Sequence, residues 1–196
     1  MAATIDTVVS LSVASTIDFT TPNHCDIIIN MKNKTYAFID GNNLYLGAKS
    51  QGIELDYGKL RLYLRNKLGV DIAFLFIGYN PDNARLYATL QSYGYILIFK
   101  PVVFYTENDK RTMKGNVDAE LVLHSAAIEY DNYDKAVIVT SDGDFACLVQ
   151  YLDENNKLAK IITPTNFYSS LFHPYTKYIL PLSKFSSKIS RRQFIK

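Results

Sequence analysis

The sequence is short of most residues that build covalent or soft-metal sites. Of 196 residues only Cys25 and Cys147 are cysteine, too few for a disulfide framework and without a Cys-x-x-Cys zinc spacing. The three histidines, His24, His124 and His173, are scattered, which argues against a His-rich metal site. No run of about 18 apolar residues exists, so no membrane-spanning helix is expected. There is no Gly-x-Gly-x-x-Gly, which removes the support for dinucleotide binding. Gly41–Ser50 imitates a phosphate-binding loop, but the spacing is one residue too long and Ala48 precedes the lysine. A reduced, cytoplasmic protein with no membrane and no disulfide-linked partner is the simplest reading.

What is present is a composition near the globular average, 48% hydrophobic and 20% charged, on a chain of about one domain. The net charge of +2 hides a gradient. Residues 1–30 carry Asp6, Asp18 and Asp26 with no Lys or Arg, whereas residues 155–196 carry eight Lys or Arg and no acid. A basic end on a mildly acidic body suits a partner with phosphates. Residues 1–30 show no helical period and are expected to be a poorly ordered extension. A domain is expected over 31–174, and a basic helical segment over 175–196.

From Thr35 onward, short apolar runs alternate with helical patterns. Strands are expected at Tyr36–Ile39, Ile72–Gly78, Tyr95–Phe99, Ala136–Thr140 and Ala159–Thr163. Helices are expected near 56–68, from Pro81 to about Ser92, from Val117 to Tyr130 and over Phe145–Glu154. Residues 105–114 are polar and read as a mobile loop, and Pro181 as the start of a terminal helix. This alternation predicts an α/β fold, a parallel sheet covered on both faces. Ligands of such sheets bind beyond the carboxyl ends of the strands, where strand order reverses.

Acids collect at that edge. Asp40 ends the first strand, Asp142 and Asp144 follow the fourth, and Asp118 opens the helix leading into the fourth. Singly, each has a local explanation as a helix cap, a dipole partner or a turn former. Jointly, four converging carboxylates repel, and a divalent cation relieves the repulsion. Oxygen-only ligands favour Mg²⁺ or Mn²⁺ over zinc. A phospho-acceptor role for Asp40 would need a second acid just beyond it, and Gly41-Asn42-Asn43 supplies none.

With these residues placed, the sequence resembles the NYN domain family of the PIN-like nuclease superfamily. The matching pieces are Phe38-Ile39-Asp40-Gly41-Asn42-Asn43, Lys114-Gly115-Asn116-Val117-Asp118 and Thr140-Ser141-Asp142-Gly143-Asp144-Phe145. The resemblance implies a three-layer α/β/α sandwich with a five-stranded parallel sheet of order 3-2-1-4-5. It implies metal-dependent endoribonuclease activity, with Asp40, Asp118, Asp142 and Asp144 as metal-binding acids and Asn43 as a polar partner. RNA, single-stranded or structured, is the implied substrate. A second acid expected six residues after Asp118 is replaced here by His124, which favours as an alternative a catalytically weak RNA-binding or regulatory protein. Lys114, Ser141 and a stripe of Lys184, Lys188, Arg191 and Arg192 are the candidate phosphate contacts. A homo-oligomer is compatible with this reading.

Overall fold

A computed structural model describes residues 33–100 and 117–191, together with the backbone of 103–107 and 110–114. The expected N-terminal extension and Arg192 lie outside these residues. The strands are β1 (Thr35–Asp40), β2 (Val70–Gly78), β3 (Tyr95–Lys100), β4 (Val103–Glu107), β5 (Lys110–Lys114), β6 (Lys135–Val139), β7 (Leu158–Thr163) and β8 (Ile179–Pro181). The helices are α1 (Gly41–Ser50), α2 (Tyr57–Leu68), α3 (Ala84–Ser92), α4 (Asp118–Leu123), α5 (Ala146–Glu154) and α6 (Ser186–Ile189).

Six strands form one sheet in the order β3-β2-β1-β6-β7-β8, and every neighbouring pair is parallel. The expected five-strand order is present, extended by β8 at the edge. Both faces are buried, so the central strands read as unbroken apolar runs rather than as alternating ones. The alternation survives in residue size. Ala37, Ile39, Ala73, Leu75, Val137 and Val139 point into an aliphatic core with Leu60 and Leu64 of α2. Tyr36, Phe38, Phe74, Phe76 and Ile138 point into an aromatic core with Leu121 of α4 and Leu148 and Leu152 of α5. Phe38 and Phe74 stack across the strands at 5.5 Å.

Two expectations are corrected. Within the expected loop, residues 105–107 and 110–114 are strand: β4 and β5 pair antiparallel, Val103 opposite Lys114 and Glu107 opposite Lys110. Pro181 ends β8 and stands at the N-cap of the 3-10 turn that follows, so the expected terminal helix begins one residue later and in 3-10 form. A 3-10 turn over Leu182–Phe185 and the short α6 follow, and they bury Leu182, Phe185 and Ile189 as the spacing predicts. Phe185 stacks on Tyr63 of α2 at 4.1 Å. No helix among the described residues is long and apolar enough to cross a membrane.

Candidate metal centre

β1 lies between β2 and β6, so the reversal of strand order falls at the carboxyl ends of β1 and β6. Asp40 is the last residue of β1 and is only 6% exposed. Its Oδ1 accepts hydrogen bonds from the N–H groups of Asn42 (3.1 Å) and Asn43 (3.0 Å), capping α1. The helix starts at once because the next residue is glycine. A Cβ on Gly41 would sit 2.4 Å from Ile77 Cγ2 and 2.8 Å from the Phe76 carbonyl oxygen.

Beyond β6 the chain folds back on itself through a series of short bonds. The buried Thr140 Oγ1 accepts from the Asp142 N–H at 3.1 Å, and Asp142 Oδ1 accepts from the Asp144 N–H at 3.0 Å. That second bond caps the 3-10 turn Gly143–Phe145 leading into α5. Ser141 donates its N–H to Asn43 Oδ1 at 2.9 Å, which ties this loop to the first turn of α1. The Ser141 hydroxyl oxygen accepts from the Thr165 N–H at 3.2 Å. Gly143 is pressed so closely to Ser169 that a Cβ would lie 2.3 Å from its Oγ. Asn43 and Ser141, expected to meet substrate, are thus engaged with each other.

Asp118 opens α4, where a negative side chain suits the positive end of the helix. Two residues on, Glu120 holds Lys100 at 3.0 Å, fastening α4 to the end of β3. Asp118, Asp142 and Asp144 each offer a carboxylate oxygen, all within 4.8 Å of one another. Asp144 is exposed and the other two are half-buried. Their mutual repulsion therefore lies between the weak limit of water, about 1 kcal/mol per pair, and the roughly 3 kcal/mol of a semi-buried site. Asp40 lies outside this trio but feels it. Burial pushes its carboxyl pKa up, the Asn43 and Asn42 amides pull it down, and the charges of Asp118 and Asp142 push it up again. The caps use Oδ1 of Asp40 and Asp142, leaving the second oxygen of each outside the cap. An oxygen-only donor set of this kind could hold a divalent metal ion.

The basic candidates are dispersed. Lys114 stands on β5, with its side chain outside the described residues. Lys184 and Lys188 are exposed on the C-terminal turns and form no ion pair among the described residues. Arg191 lines a groove of about 1090 Å³ between α1 and α3. The groove begins at Gly41, Asn42 and Val117, the backbone neighbours of Asp40 and Asp118. Sequence reading missed it, although Asn42, Tyr45 and Lys49 share one face of α1. His124 lies within a π-turn over His124–Ile128, beside the rings of Phe74 and Phe76 (centroids 6.2 and 5.4 Å). Its Nδ1 is buried without a hydrogen-bond partner.

A family model for the NYN domain matches residues 34–180, from the first strand to the edge strand. The chain belongs to the NYN domain family. Its fold is the PIN-like nuclease fold, and the acidic trio sits at the reversal of strand order of this NYN domain. Among solved structures, a protein of unknown function from Vibrio parahaemolyticus is similar at a TM-score of 0.62 and 20% identity. The similarity covers 82% of this chain and 97% of the other, and it bears on the fold alone. None of the curated proteins matches this NYN domain.

Proposed function

We propose that this NYN domain is a metal-dependent endoribonuclease that hydrolyses RNA phosphodiester bonds at the acidic crevice. One observation carries the reading: Asp118, from another segment of the chain, comes within 4.8 Å of the neighbouring Asp142 and Asp144, with the charges of Asp118 and Asp142 acting on a buried Asp40. Convergent like charge is costly, and a fold keeps it where a ligand offsets the cost. Asp118, Asp142, Asp144 and Asp40 would hold Mg²⁺ or Mn²⁺. When bound, such an ion supplies an activated water and neutralises charge on the scissile phosphate.

The remaining work falls to the chain. Asp144 is the exposed member of the trio and is suited to take a proton from the attacking water. The water oxygen bonds to phosphorus while the P–O3′ bond breaks with its electron pair on O3′, leaving a 5′-phosphate. Asn43 and Ser141 act as positioning residues, holding α1 and the Asp142 loop in register. Lys114 and the C-terminal cations would contribute salt-sensitive phosphate contacts.

The test is cleavage of labelled single-stranded RNA in Mg²⁺ or Mn²⁺ against EDTA, with Asp142→Asn as control. The expected loss is on the order of 10²–10⁴-fold, the equivalent of several kcal/mol of transition-state stabilisation. Cleavage that persists in EDTA or in the variant would sink the proposal. His124, standing among phenylalanine rings where the family resemblance implies a further acid, favours a second reading: an RNA-binding protein of weak activity. Tight RNA binding without cleavage selects that reading.

A further inference from the structure

The groove between α1 and α3 has no part in the chemistry described above. Gly41 and Asn42 follow Asp40 in the chain and Val117 precedes Asp118, so its lining reaches residues next in sequence to two of the acids. Its floor is the apolar carboxyl end of β2, Leu75 and Ile77. Tyr45 on α1 and Leu86 on α3 line it while remaining 50% and 45% exposed. The Lys49 ammonium lies 5.8 Å from the centre of the Tyr45 ring, and Arg191 stands in the lining as a second cation.

We propose that this groove seats bases of the RNA flanking the scissile phosphate, with Tyr45 as the stacking platform and Lys49 and Arg191 as the cations beside it. The inference rests on the ribonuclease reading for the class of ligand and on the groove for its form. An exposed aromatic ring offers a stacking platform to any base, and neighbouring cations follow the backbone. A volume of about 1090 Å³, at the upper end of what ligand sites offer (roughly 300–1,000 Å³), has room for a short run of nucleotides. An A-form duplex keeps its base faces stacked inside and presents phosphates and 2′-hydroxyls, leaving an apolar floor without a partner. Lys49 and Arg191 outnumber Glu54, the acid of the lining, so the wall is complementary to phosphate.

The experiment is equilibrium binding in EDTA, which separates it from catalysis. The probes are a fluorescein-labelled oligouridylate, the same strand annealed to its complement, and an abasic ribose-phosphate oligomer of equal length. The single strand is expected to bind more tightly than either control. Tyr45→Ala is expected to weaken its binding about 5- to 100-fold, and Tyr45→Phe to restore it. Tyr93→Ala, an equally exposed tyrosine outside the groove, serves as the control for general surface effects. Equal binding of the abasic oligomer, or no response to Tyr45→Ala, overturns the groove even if Mg²⁺-dependent cleavage remains intact. Self-association that Leu86→Ser abolishes, with RNA binding unchanged, assigns the groove to a second copy and also overturns it. Base-dependent binding lost in Tyr45→Ala supports the groove even if no cleavage is found, in which case only the hydrolytic reading fails.

Discussion

Two charged regions stand out in this chain, and the fold treats them in opposite ways. The acids come from separate segments, and the topology brings Asp118 within 4.8 Å of the Asp142–Asp144 pair. The C-terminal cations are adjacent in sequence, and the fold spreads Lys184 and Lys188 into solvent while their helical turns are fastened by Leu182, Phe185 and Ile189. Charge spread over a solvated turn costs almost nothing and does not by itself point to a ligand. Charge gathered from distant segments raises the free energy of the fold, so it points to something that offsets the cost. Density of charge along the sequence is therefore a weaker guide than convergence in space.

Phe185→Ala is the strongest test of the basic region. If the C-terminal turns are a structural closure, removing a ring 2% exposed and stacked on Tyr63 costs about 3–5 kcal/mol in denaturant unfolding. If the segment is only a tether for cations, stability is unaffected while RNA affinity falls. A wild-type midpoint in the variant would overturn the packing account and leave the two regions more alike than the burial pattern says.

The acidic region has a steric counterpart of intermediate size. Gly41→Ala forces a Cβ to within 2.8 Å of the Phe76 carbonyl oxygen, and backbone cannot swing aside. We expect a loss of about 1–3 kcal/mol, despite alanine's better helix propensity. Gly143→Ala meets Ser169 at both Oγ (2.3 Å) and Cβ (2.9 Å), and rotation cannot move the Cβ, so a loss of similar size is expected. Comparing their melting temperatures ranks the two contacts. A tolerated Gly41→Ala would mean that α1 can shift away from β2, and Asp40 with it.

Much of this was legible in the sequence. The central strands betray themselves because burial on both faces demands continuous apolar runs such as Tyr36–Ile39 and Ala136–Val139. The acids were findable because the rule for parallel sheets names the edge to inspect. What escaped depended on pairing rather than on an apolar pattern. Lys110-Arg111-Thr112 reads as a loop because it is polar throughout, and only its pairing with Tyr105 to Glu107 makes it a strand. Ile179–Pro181 is too short for any periodic signal and is a strand only by virtue of pairing with Ile161–Thr163. The groove needed two helix faces, 42-45-49 and 83-86-90, whose meeting only the folded topology reveals. Leu44-Tyr45-Leu46 reads as a wholly buried triplet, yet helical spacing buries Leu44 alone and leaves Tyr45 and Leu46 half exposed.

The smallest effect, and the most specific to the acidic region, is expected from Asp40→Asn. Asparagine keeps an oxygen for capping α1 and removes the charge, so the two contributions of this side chain separate. Asp40 is the less usual case of a carboxyl whose pKa is raised in the folded protein, chiefly by burial and further by Asp118 and Asp142. Its contribution to stability is intact below the ordinary value of 3.8 and is lost as pH rises through the folded value, because the folded state resists the ionisation that the unfolded chain accepts. In EDTA at neutral pH the variant should therefore be more stable than wild type, by under about 2 kcal/mol. The advantage should shrink as pH falls and vanish in the acid range where both forms are neutral. Adding Mg²⁺ should reverse the order, because a ligand bound by the wild type alone stabilises it by about 2.7 kcal/mol at a hundredfold excess over its Kd. Thermal melts of both proteins across pH, with and without the ion, read all three expectations. A variant less stable than wild type in EDTA at neutral pH would mean that the carboxylate's cap outweighs its confinement, and the argument from gathered charge would lose its support at Asp40.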